Sequence, residues 1–329
     1  MRKRLFLLAA AAAAGLVCAM PVAMAQAKFP TQPVKLVVPY PPGGGTDFFA
    51  RTVAQGMGDA LGQPVIVENR PGASGMIAGQ YVAKVAPADG HTVLWGDMTT
   101  YAVNPTLFGK QQQYDIQRDL APVTMTAKFD FMLVVNPKIV PVSTVQELIA
   151  AAAKAPDGLN YGNPSIGTTH HLATELFARE TGAKLVGITY KGGGAAVQDL
   201  LGGQIGLMFL DRATAKPHIE TGSLRAIAVA GSKRVAAFPN VPTVAESGVK
   251  GFNVEGWQGL TVRAGTPETA VKALAQAFAK AIAAPGVREK LADAGIDVAA
   301  STPQEFATYI QSETARWAAL IRANGIKVE

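Results

Sequence analysis

The sequence predicts an α/β protein built as two lobes that are joined by crossing strands. Short apolar segments of strand length alternate with helical patterns between residues 28 and 127, and Pro/Gly turns separate them. Residues 121–136 contain two apolar runs, 123–127 and 131–135, which Lys128-Phe129-Asp130 separates. This pattern favours one long strand that crosses into a second lobe. The alternation then begins again, so a second α/β unit follows the crossing strand.

The first lobe is expected to alternate strands and helices from its start. Strands are predicted at residues 34–38, 65–68 and 92–95, and helices at 46–61 and 75–85. This order predicts a mostly parallel sheet with helices on both faces. Ligands of such sheets bind beyond the carboxyl ends of the strands. The loops in that place here are residues 39–47, 69–75 and 96–100.

The second lobe continues the same pattern, and the chain then returns to the first lobe. The predicted elements are a helix at 144–154, a strand at 159–161, a helix at 169–181, a strand at 185–190, a helix at 195–201 and strands at 205–210 and 224–230. Residues 252–263 are the predicted return crossing, and helices follow at 267–282, 285–294 and 303–323. The predicted lobes are therefore 26–127 plus 253–329 for the first and 128–252 for the second.

The amino terminus has the three parts of a secretory signal peptide. Met-Arg-Lys-Arg is followed by an apolar run over residues 5–20 and by the small-x-small site Ala23-Met-Ala25. We expect cleavage after Ala25 and export to the periplasm. A membrane anchor is the alternative, but the run is short for a span and Gly15 interrupts it. The only cysteine, Cys18, lies in this leader, so the mature chain is expected to have no disulfide.

The composition argues against nucleic acid as a partner. The chain has 30 lysine and arginine residues against 24 aspartate and glutamate residues, a net charge of +6. Three of the basic residues lie in the leader, and the remaining excess is mild and forms no basic block. After the leader, no segment is long and apolar enough to predict a membrane span.

A glycine-rich turn between the first strand and the first helix is the strongest candidate for a binding element. Gly43, Gly44 and Gly45 allow positive φ and let a ligand approach the main chain without meeting a Cβ. Thr46 or Asp47 is predicted to cap the helix that follows. Free N–H groups and the positive end of the helix dipole suit an anion there. The turn matches neither nucleotide fingerprint, because Phe48 replaces the last dinucleotide glycine and no Gly-Lys-Ser/Thr follows.

A second turn of this kind lies in the second lobe. Residues 161–171 run from a strand through glycine into a helix that Thr168 or Thr169 is predicted to cap. The two helix N-termini are expected to face each other across a cleft. Their main-chain N–H groups could together hold a dicarboxylate without any arginine.

Six motifs in order resemble the substrate-binding receptors of tripartite tricarboxylate transporters, the Bug family, over essentially the whole mature chain. They are the glycine turn that ends at Asp47, Asn69-Arg-Pro-Gly-Ala-Ser-Gly75, Ala86-Pro-Ala-Asp-Gly90, Tyr190-Lys-Gly-Gly-Gly194, Asp199-Leu-Leu-Gly-Gly203 and Gly265-Thr-Pro267. The resemblance implies a two-lobed periplasmic binding protein, type II-like, which closes over a small carboxylate as a Venus flytrap with crossing hinge strands. It also implies delivery to a tripartite membrane permease. We expect a monomer without a cofactor.

The resemblance, together with the residues themselves, gives a set of expected ligand-binding positions. They are Tyr40, Pro42, Gly43, Gly44, Gly45, Thr46, Asp47, Ser74, Asp97, Thr99, Gly167, Thr168, Thr169, His170 and Asp211. Three positions depart from the family pattern: Gly206 stands where an acidic residue is common, Asp211 is shifted by one place, and Asp97 interrupts a run usually rich in serine. If Asp97 faces the cleft, it would repel a second carboxylate or pair with an ammonium group. The alternative is a solvated or capping aspartate.

Other chemistries have weaker support in the sequence. His171 and Glu175 share a helix face beside His170, but no third separated metal ligand accompanies them, so no metal is expected. Ser74 lacks the spacing of a nucleophile elbow. Lys191 precedes glycines in the wrong order for a P-loop. We therefore expect a binding protein rather than an enzyme, with a secreted α/β enzyme or a receptor for a membrane sensor as the alternatives.

Overall fold

The computed structural model describes residues 29–328, and the predicted signal peptide, residues 1–25, lies outside them. The strands are β1 (Val34–Val38), β2 (Val65–Asn69), β3 (Thr92–Asp97), β4 (Leu120–Val135), β5 (Leu159–Asn163), β6 (Leu185–Thr189), β7 (Leu207–Asp211), β8 (Arg225–Val229), β9 (Glu255–Arg263) and β10 (Asp297–Val298). The α-helices are α1 (Gly45–Leu61), α2 (Met76–Gln80), α3 (Asn104–Leu107), α4 (Ile116–Asp119), α5 (Val145–Lys154), α6 (Thr169–Thr181), α7 (Gly193–Gly202), α8 (Arg212–Glu220), α9 (Glu268–Ala283), α10 (Val287–Asp293) and α11 (Pro303–Ala323).

The first lobe is a mixed sheet. Its strand order is β2-β1-β3-β9-β4; β1 pairs in parallel with both β2 and β3, whereas β9 is antiparallel to β3 and β4. The predicted mostly parallel sheet is therefore correct only for the first three strands. Helices α1 and α9 cover one face, where Phe49, Trp95 and Phe278 pack edge to face with ring centroids 4.8–6.2 Å apart.

The second lobe has its own sheet, in which β5 pairs in parallel with β6 and β7. Both β7 and β8 are antiparallel to the second half of β4. The long crossing strand predicted from residues 121–136 is confirmed, since β4 is one strand of 16 residues. It pairs with β9 as far as Asp130 and with β7 from Phe131 onward, so one strand belongs to both sheets.

The chain returns between the lobes beside this same point. The Val254 N–H donates to the carbonyl of Ala230 at 2.8 Å, and the Ala230 N–H donates to the carbonyl of Phe131 at 2.7 Å. Strand β9 then begins at Glu255 opposite Asp130. Two adjacent backbone segments therefore connect the lobes, as the predicted crossing strands require.

Several short elements escaped the sequence reading. Helices α3 and α4 have four residues each, and β10 has two, so none is long enough to show a period. Helix α8 contains Pro217 and buries only Ala215 among its nine residues, so it carries no apolar stripe. The predicted helix 75–85 is divided into a 3₁₀ turn, α2 and a π-helical turn.

A group of charges lies where the two lobes meet at the hinge. Arg212, which opens α8, places Nη2 2.8 Å from Asp297 Oδ2 and Nε 3.8 Å from Asp130 Oδ2. Burial, followed by the charge of Asp297, raises the pKa of Asp130 from 3.8 to about 6; Glu255 adds to the rise and Arg212 opposes it. A folded protein that binds a proton more tightly than its unfolded chain loses stability as the pH rises through that interval.

We therefore expect Asp130→Asn to stabilise the protein increasingly as the pH rises from about 4 to about 6. The substitution removes a carboxylate that burial and two neighbouring carboxylates destabilise, and Arg212 keeps its bond to Asp297. Urea denaturation at several pH values measures the difference in the free energy of unfolding from the wild type. Asp59→Asn, an exposed change on α1, serves as the control. A difference that stays constant over this interval would contradict the prediction.

Candidate functional site

A cavity of about 650 Å³ opens between the lobes, above the crossing strands. From the first lobe it is lined by Tyr40, Gly43, Gly44, Gly45, Thr46, Phe48, Asp97, Met98, Thr99, Ala294, Gly295 and Ile296. From the second lobe come Thr168, Thr169, His170, Asp211, Ala213 and Thr214, and the hinge strands add Phe129, Phe131, Gly256, Trp257 and Gln258. This volume suits a small organic ligand.

The first glycine turn is fixed by Asp47, whose side chain turns away from the cavity. Its carboxylate accepts hydrogen bonds from the Gly43 N–H at 3.0 Å, from Arg51 Nε at 3.0 Å and from Asn69 Nδ2 at 2.9 Å. The hydrogen bond from Arg51 is the main reason that the pKa of Asp47 falls to about 2. The predicted side-chain cap is wrong, because the N-cap of α1 is Gly44. Asp47 instead stabilises the turn by its hydrogen bonds on the side away from the cavity.

Main-chain N–H groups of this turn remain available to a ligand. The first helical hydrogen bond of α1 runs from the Phe48 N–H to the Gly44 carbonyl at 2.9 Å, so the preceding amides have no helical acceptor. Gly45 and Thr46, which carry two of these amides, both line the cavity. Gly43 adopts a φ of +90°, which an L side chain rarely allows.

Gln258 positions Thr46 from the floor of the cavity. Its Nε2 donates to Thr46 Oγ1 at 2.6 Å, and its Oε1 accepts from the Trp95 indole at 2.9 Å. The glutamine is buried, so its amide is held in one orientation by these two partners. The Thr46 side chain is thereby fixed at the N-terminus of α1.

Asp97 lines the cavity and also caps the turn that follows β3. Its Oδ1 accepts from the N–H and the hydroxyl of Thr100, both at 2.9 Å, and its Oδ2 accepts from the Tyr40 hydroxyl at 2.5 Å. Burial raises the pKa of Tyr40, and the charge of Asp97 raises it further, so Tyr40 remains a hydrogen-bond donor. The structure therefore combines the two alternatives for Asp97, a residue that faces the cleft and a capping residue.

The second turn is organised by Thr168 and His171. Thr168 Oγ1 accepts from the His171 N–H at 3.4 Å, so the predicted cap of α6 by Thr168 is confirmed. The Gly167 N–H donates to His171 Nδ1 at 3.1 Å. A Cβ on Gly167 would lie 2.5 Å from Leu107 Cδ2, so this glycine permits close packing of the lobes and does not line the cavity.

His170 and Asp211 form a pair on the wall of the second lobe. His170 Nε2 lies 3.9 Å from Asp211 Oδ2, and the imidazole packs edge to face on Phe131 with centroids 4.9 Å apart. Asp211 also caps α8 by accepting from the Thr214 N–H at 2.9 Å. Burial raises the pKa of Asp211, but the neighbouring His170 and the hydrogen bond from Thr214 outweigh burial and bring the pKa below its usual value.

Most of the expected binding positions meet at the cavity, and four do not line it. Pro42 is exposed, and Asp47 and Gly167 support the two turns on the side away from the cavity. Ser74 belongs to a 3₁₀ turn, and its carbonyl oxygen accepts from Asn104 Nδ2. Ser74, which was expected to line the cleft, does not line this cavity. The sequence reading missed Phe48, Met98, Phe129, Phe131, Thr214, Gly256, Gln258 and Ile296. The period of two along the hinge strands could have indicated Phe129 with Phe131 and Gly256 with Gln258.

The histidine cluster has structural partners in the described part of the chain. His171 Nδ1 accepts from Gly167, and Glu175 accepts from the Tyr161 hydroxyl at 2.7 Å and from Asn324 Nδ2 at 3.0 Å. No group of three or more His, Cys, Asp or Glu side chains suited to a metal ion occurs between residues 29 and 328. Over the same residues, no helix combines the length and the apolar character that crossing a membrane requires.

Two α/β lobes, two connecting strands and a cavity between them define a two-lobed binding protein. The family model described as "Tripartite tricarboxylate transporter family receptor" matches residues 49–326. The chain belongs to this family. The resemblance drawn from the sequence motifs is thereby confirmed, as is the two-lobed α/β class.

Relatives of known sequence or structure agree over nearly the whole chain. Protein BugT of Bordetella pertussis is 37% identical over 302 residues, which cover 92% of this chain and 92% of BugT. The R. palustris protein Rpa4515 with adipate is 35% identical, with a TM-score of 0.80, and covers 91% of this chain and 99% of its own. MatC from Rhodopseudomonas palustris with bound malate is 32% identical, with a TM-score of 0.77, and covers 89% of this chain and 100% of its own.

Proposed function

We propose that this protein captures a small organic carboxylate between its two lobes and delivers it to the membrane permease of a tripartite transporter. The observation that carries the proposal is the pair of glycine turns, one in each lobe, whose helix N-termini line one cavity. The complexes of two relatives with adipate and malate support the same ligand chemistry.

The ligand carboxylate accepts hydrogen bonds from the main-chain N–H groups of Gly45 and Thr46 on one side and of Thr169 on the other. A charge-assisted hydrogen bond of this kind contributes about 1.5–3 kcal/mol, whereas a helix dipole contributes about 0.3–2 kcal/mol. Contacts to both lobes at once favour the closed arrangement, and the segments at Asp130 and Val254 act as the hinge. The lobes that close are residues 26–127 plus 253–329 and residues 128–252.

The protein acts in the periplasm as a monomer, after the signal peptide is cleaved behind Ala25. It binds its ligand without transforming it. Delivery of the closed form to a membrane sensor is the alternative within the same binding chemistry. A secreted enzyme is the alternative outside it, and recovery of a chemically altered ligand after incubation would favour that alternative.

A thermal-shift screen of residues 26–329 against small carboxylates tests the proposal. A bound ligand at 100 times its dissociation constant stabilises a protein by about 2.7 kcal/mol. We expect a rise in Tm with at least one carboxylate and none with its primary amide, because the amide lacks the charge that the N–H groups recognise. Calorimetry should then give one ligand per chain. Equal shifts with acid and amide would contradict the proposed anion site.

A further inference from the structure

The charged side chains on the cavity wall are mainly acidic. Asp97 lies on the first lobe and Asp211 on the second. Within the described part of the chain, His170 is the only lining residue able to carry a positive charge. No lysine or arginine lines the cavity among residues 29–328. A ligand with two carboxylates would therefore place its second charge in the field of these two aspartates without a strong cation to compensate it.

The two aspartates differ in how many hydrogen bonds they already accept within the protein. Asp97 accepts from Thr100 twice and from Tyr40, and Asp211 accepts from Thr214 while its other oxygen faces His170. The Asp97 oxygens are consequently poor sites for an ammonium group, and the charges of both aspartates repel an anion. The low pKa of Asp211 keeps that side chain charged at neutral pH.

The anion sites on the two lobes are unequal. In the turn before α6, the Gly167 N–H is bonded to His171 Nδ1 and the His171 N–H is bonded to Thr168 Oγ1. The turn before α1 bonds only the Gly43 N–H to a side chain, that of Asp47. The first turn therefore has more free N–H groups than the second. These free groups suit one carboxylate bound mainly at the first turn better than two carboxylates bound one on each lobe.

The remaining floor of the cavity is apolar and aromatic. Phe129 and Phe131 of β4 lie beside Gly256 of β9, where a Cβ would stand 2.9 Å from Phe131 Cε2 and 3.5 Å from Phe129 Cβ. Phe129 packs against two hydrophobic clusters, one of which includes residues of both lobes, and Phe48 and Ile296 add apolar surface at the sides. Such a surface binds a ring better than it binds a second charged group.

We propose that the ligand is a monocarboxylate with an apolar, ring-bearing body, and that Asp97 and Asp211 exclude compounds with a second carboxylate. This inference rests on the proposed function, because it assumes that the first glycine turn holds one carboxylate. It separates this chain from its relatives with adipate and malate, both of which are dicarboxylates.

Calorimetry with four probes tests the two parts of the inference separately. Benzoate and terephthalate share a ring, hexanoate and adipate share a six-carbon chain, and each pair differs by one carboxylate. We expect each second carboxylate to weaken binding by about tenfold or more, and benzoate to bind about threefold to tenfold more tightly than hexanoate. Terephthalate or adipate binding as tightly as its partner would overturn the inference and leave the proposed function intact. Failure of all four to bind, when the thermal-shift screen finds another carboxylate that does, would overturn the inference alone. Only failure of the whole screen would overturn the proposed function as well.

Variants assign the discrimination to particular residues. Asp97→Asn removes a charge, while its side-chain oxygen can still accept from Thr100 and its NH2 group can donate to the Tyr40 hydroxyl oxygen. We therefore expect adipate and terephthalate to gain about tenfold in affinity relative to their monocarboxylate partners. Asp211→Asn should act in the same direction, and Asp59→Asn, a loss of charge on the exposed face of α1, should change no ratio. Phe129→Leu should reduce the preference for benzoate over hexanoate. Ratios that remain at wild-type values in all three cavity variants would contradict the assigned roles.

Discussion

Valine at position 44 is expected to abolish most of the affinity for the ligand carboxylate and to leave the protein folded. Gly44 has φ of −82° and ψ of 169°, an extended conformation that valine adopts without strain. The nearest atom to an added Cβ is the Pro41 carbonyl oxygen at 4.0 Å, which is an ordinary van der Waals distance. The valine side chain would occupy space in the cavity in front of the Gly45 and Thr46 amides. Loss of two charge-assisted hydrogen bonds corresponds to about 3–6 kcal/mol, or roughly 10²- to 10⁴-fold in the dissociation constant.

Calorimetry with the carboxylate that gives the largest thermal shift measures this loss, and urea denaturation shows whether the Gly44→Val protein remains stable. Gly202→Val is the matched control, because Gly202 is exposed in α7 with no atom within 4 Å of an added Cβ and lies away from the cavity. We expect the control to bind as the wild type does. Equal affinity of the two variants would show that the first glycine turn is not the anion site.

The parts of the fold that the sequence predicted well are those with local signals. The bounds of α6 and α11 agree with the predicted 169–181 and 303–323 because both helices begin at side-chain caps: Thr168 caps α6, and Thr302 with Glu305 forms a capping box before α11. Strand β4 was predictable from two apolar runs that only three residues separate. In each case a few neighbouring residues determine the element.

The less predictable parts of the site depend on residues that are distant in sequence. Gln258 donates to Thr46 across 212 positions and accepts from Trp95 across 163, and no local pattern reports either bond. The role of Asp47 in the first turn also differs from the prediction. Aspartate is a common N-cap residue, but that preference cannot reveal that Arg51 and Asn69 donate hydrogen bonds to Asp47 on the side away from the cavity. Local chemistry thus predicted which residues line the cavity better than it predicted which residues hold them in place.

The carboxylate of Glu313 joins the returning hinge strand to the last helix. Its Oε2 accepts from the indole N–H of Trp257 on β9 at 3.2 Å and from that of Trp317 on α11 at 2.9 Å, while Oε1 accepts from Arg316 at 3.3 Å. The glutamate is 6% exposed and both tryptophans are almost fully buried. The far end of α11 reaches the second lobe, where Asn324 Nδ2 donates to Glu175 Oε2 at 3.0 Å.

Glu313→Ala is therefore expected to lower the free energy of unfolding by about 3–5 kcal/mol, because it leaves two buried indole N–H groups without an acceptor and opens a void between β9 and α11. Urea denaturation of the ligand-free protein measures the loss. Glu313→Gln keeps an oxygen that can accept from the indoles and should lose clearly less, whereas Glu289→Ala, on the exposed face of α10, should change stability by less than about 1 kcal/mol. If alanine and glutamine at position 313 cost the same, the charge of Glu313 rather than its capacity to accept from the two tryptophans holds the helix to the hinge strand.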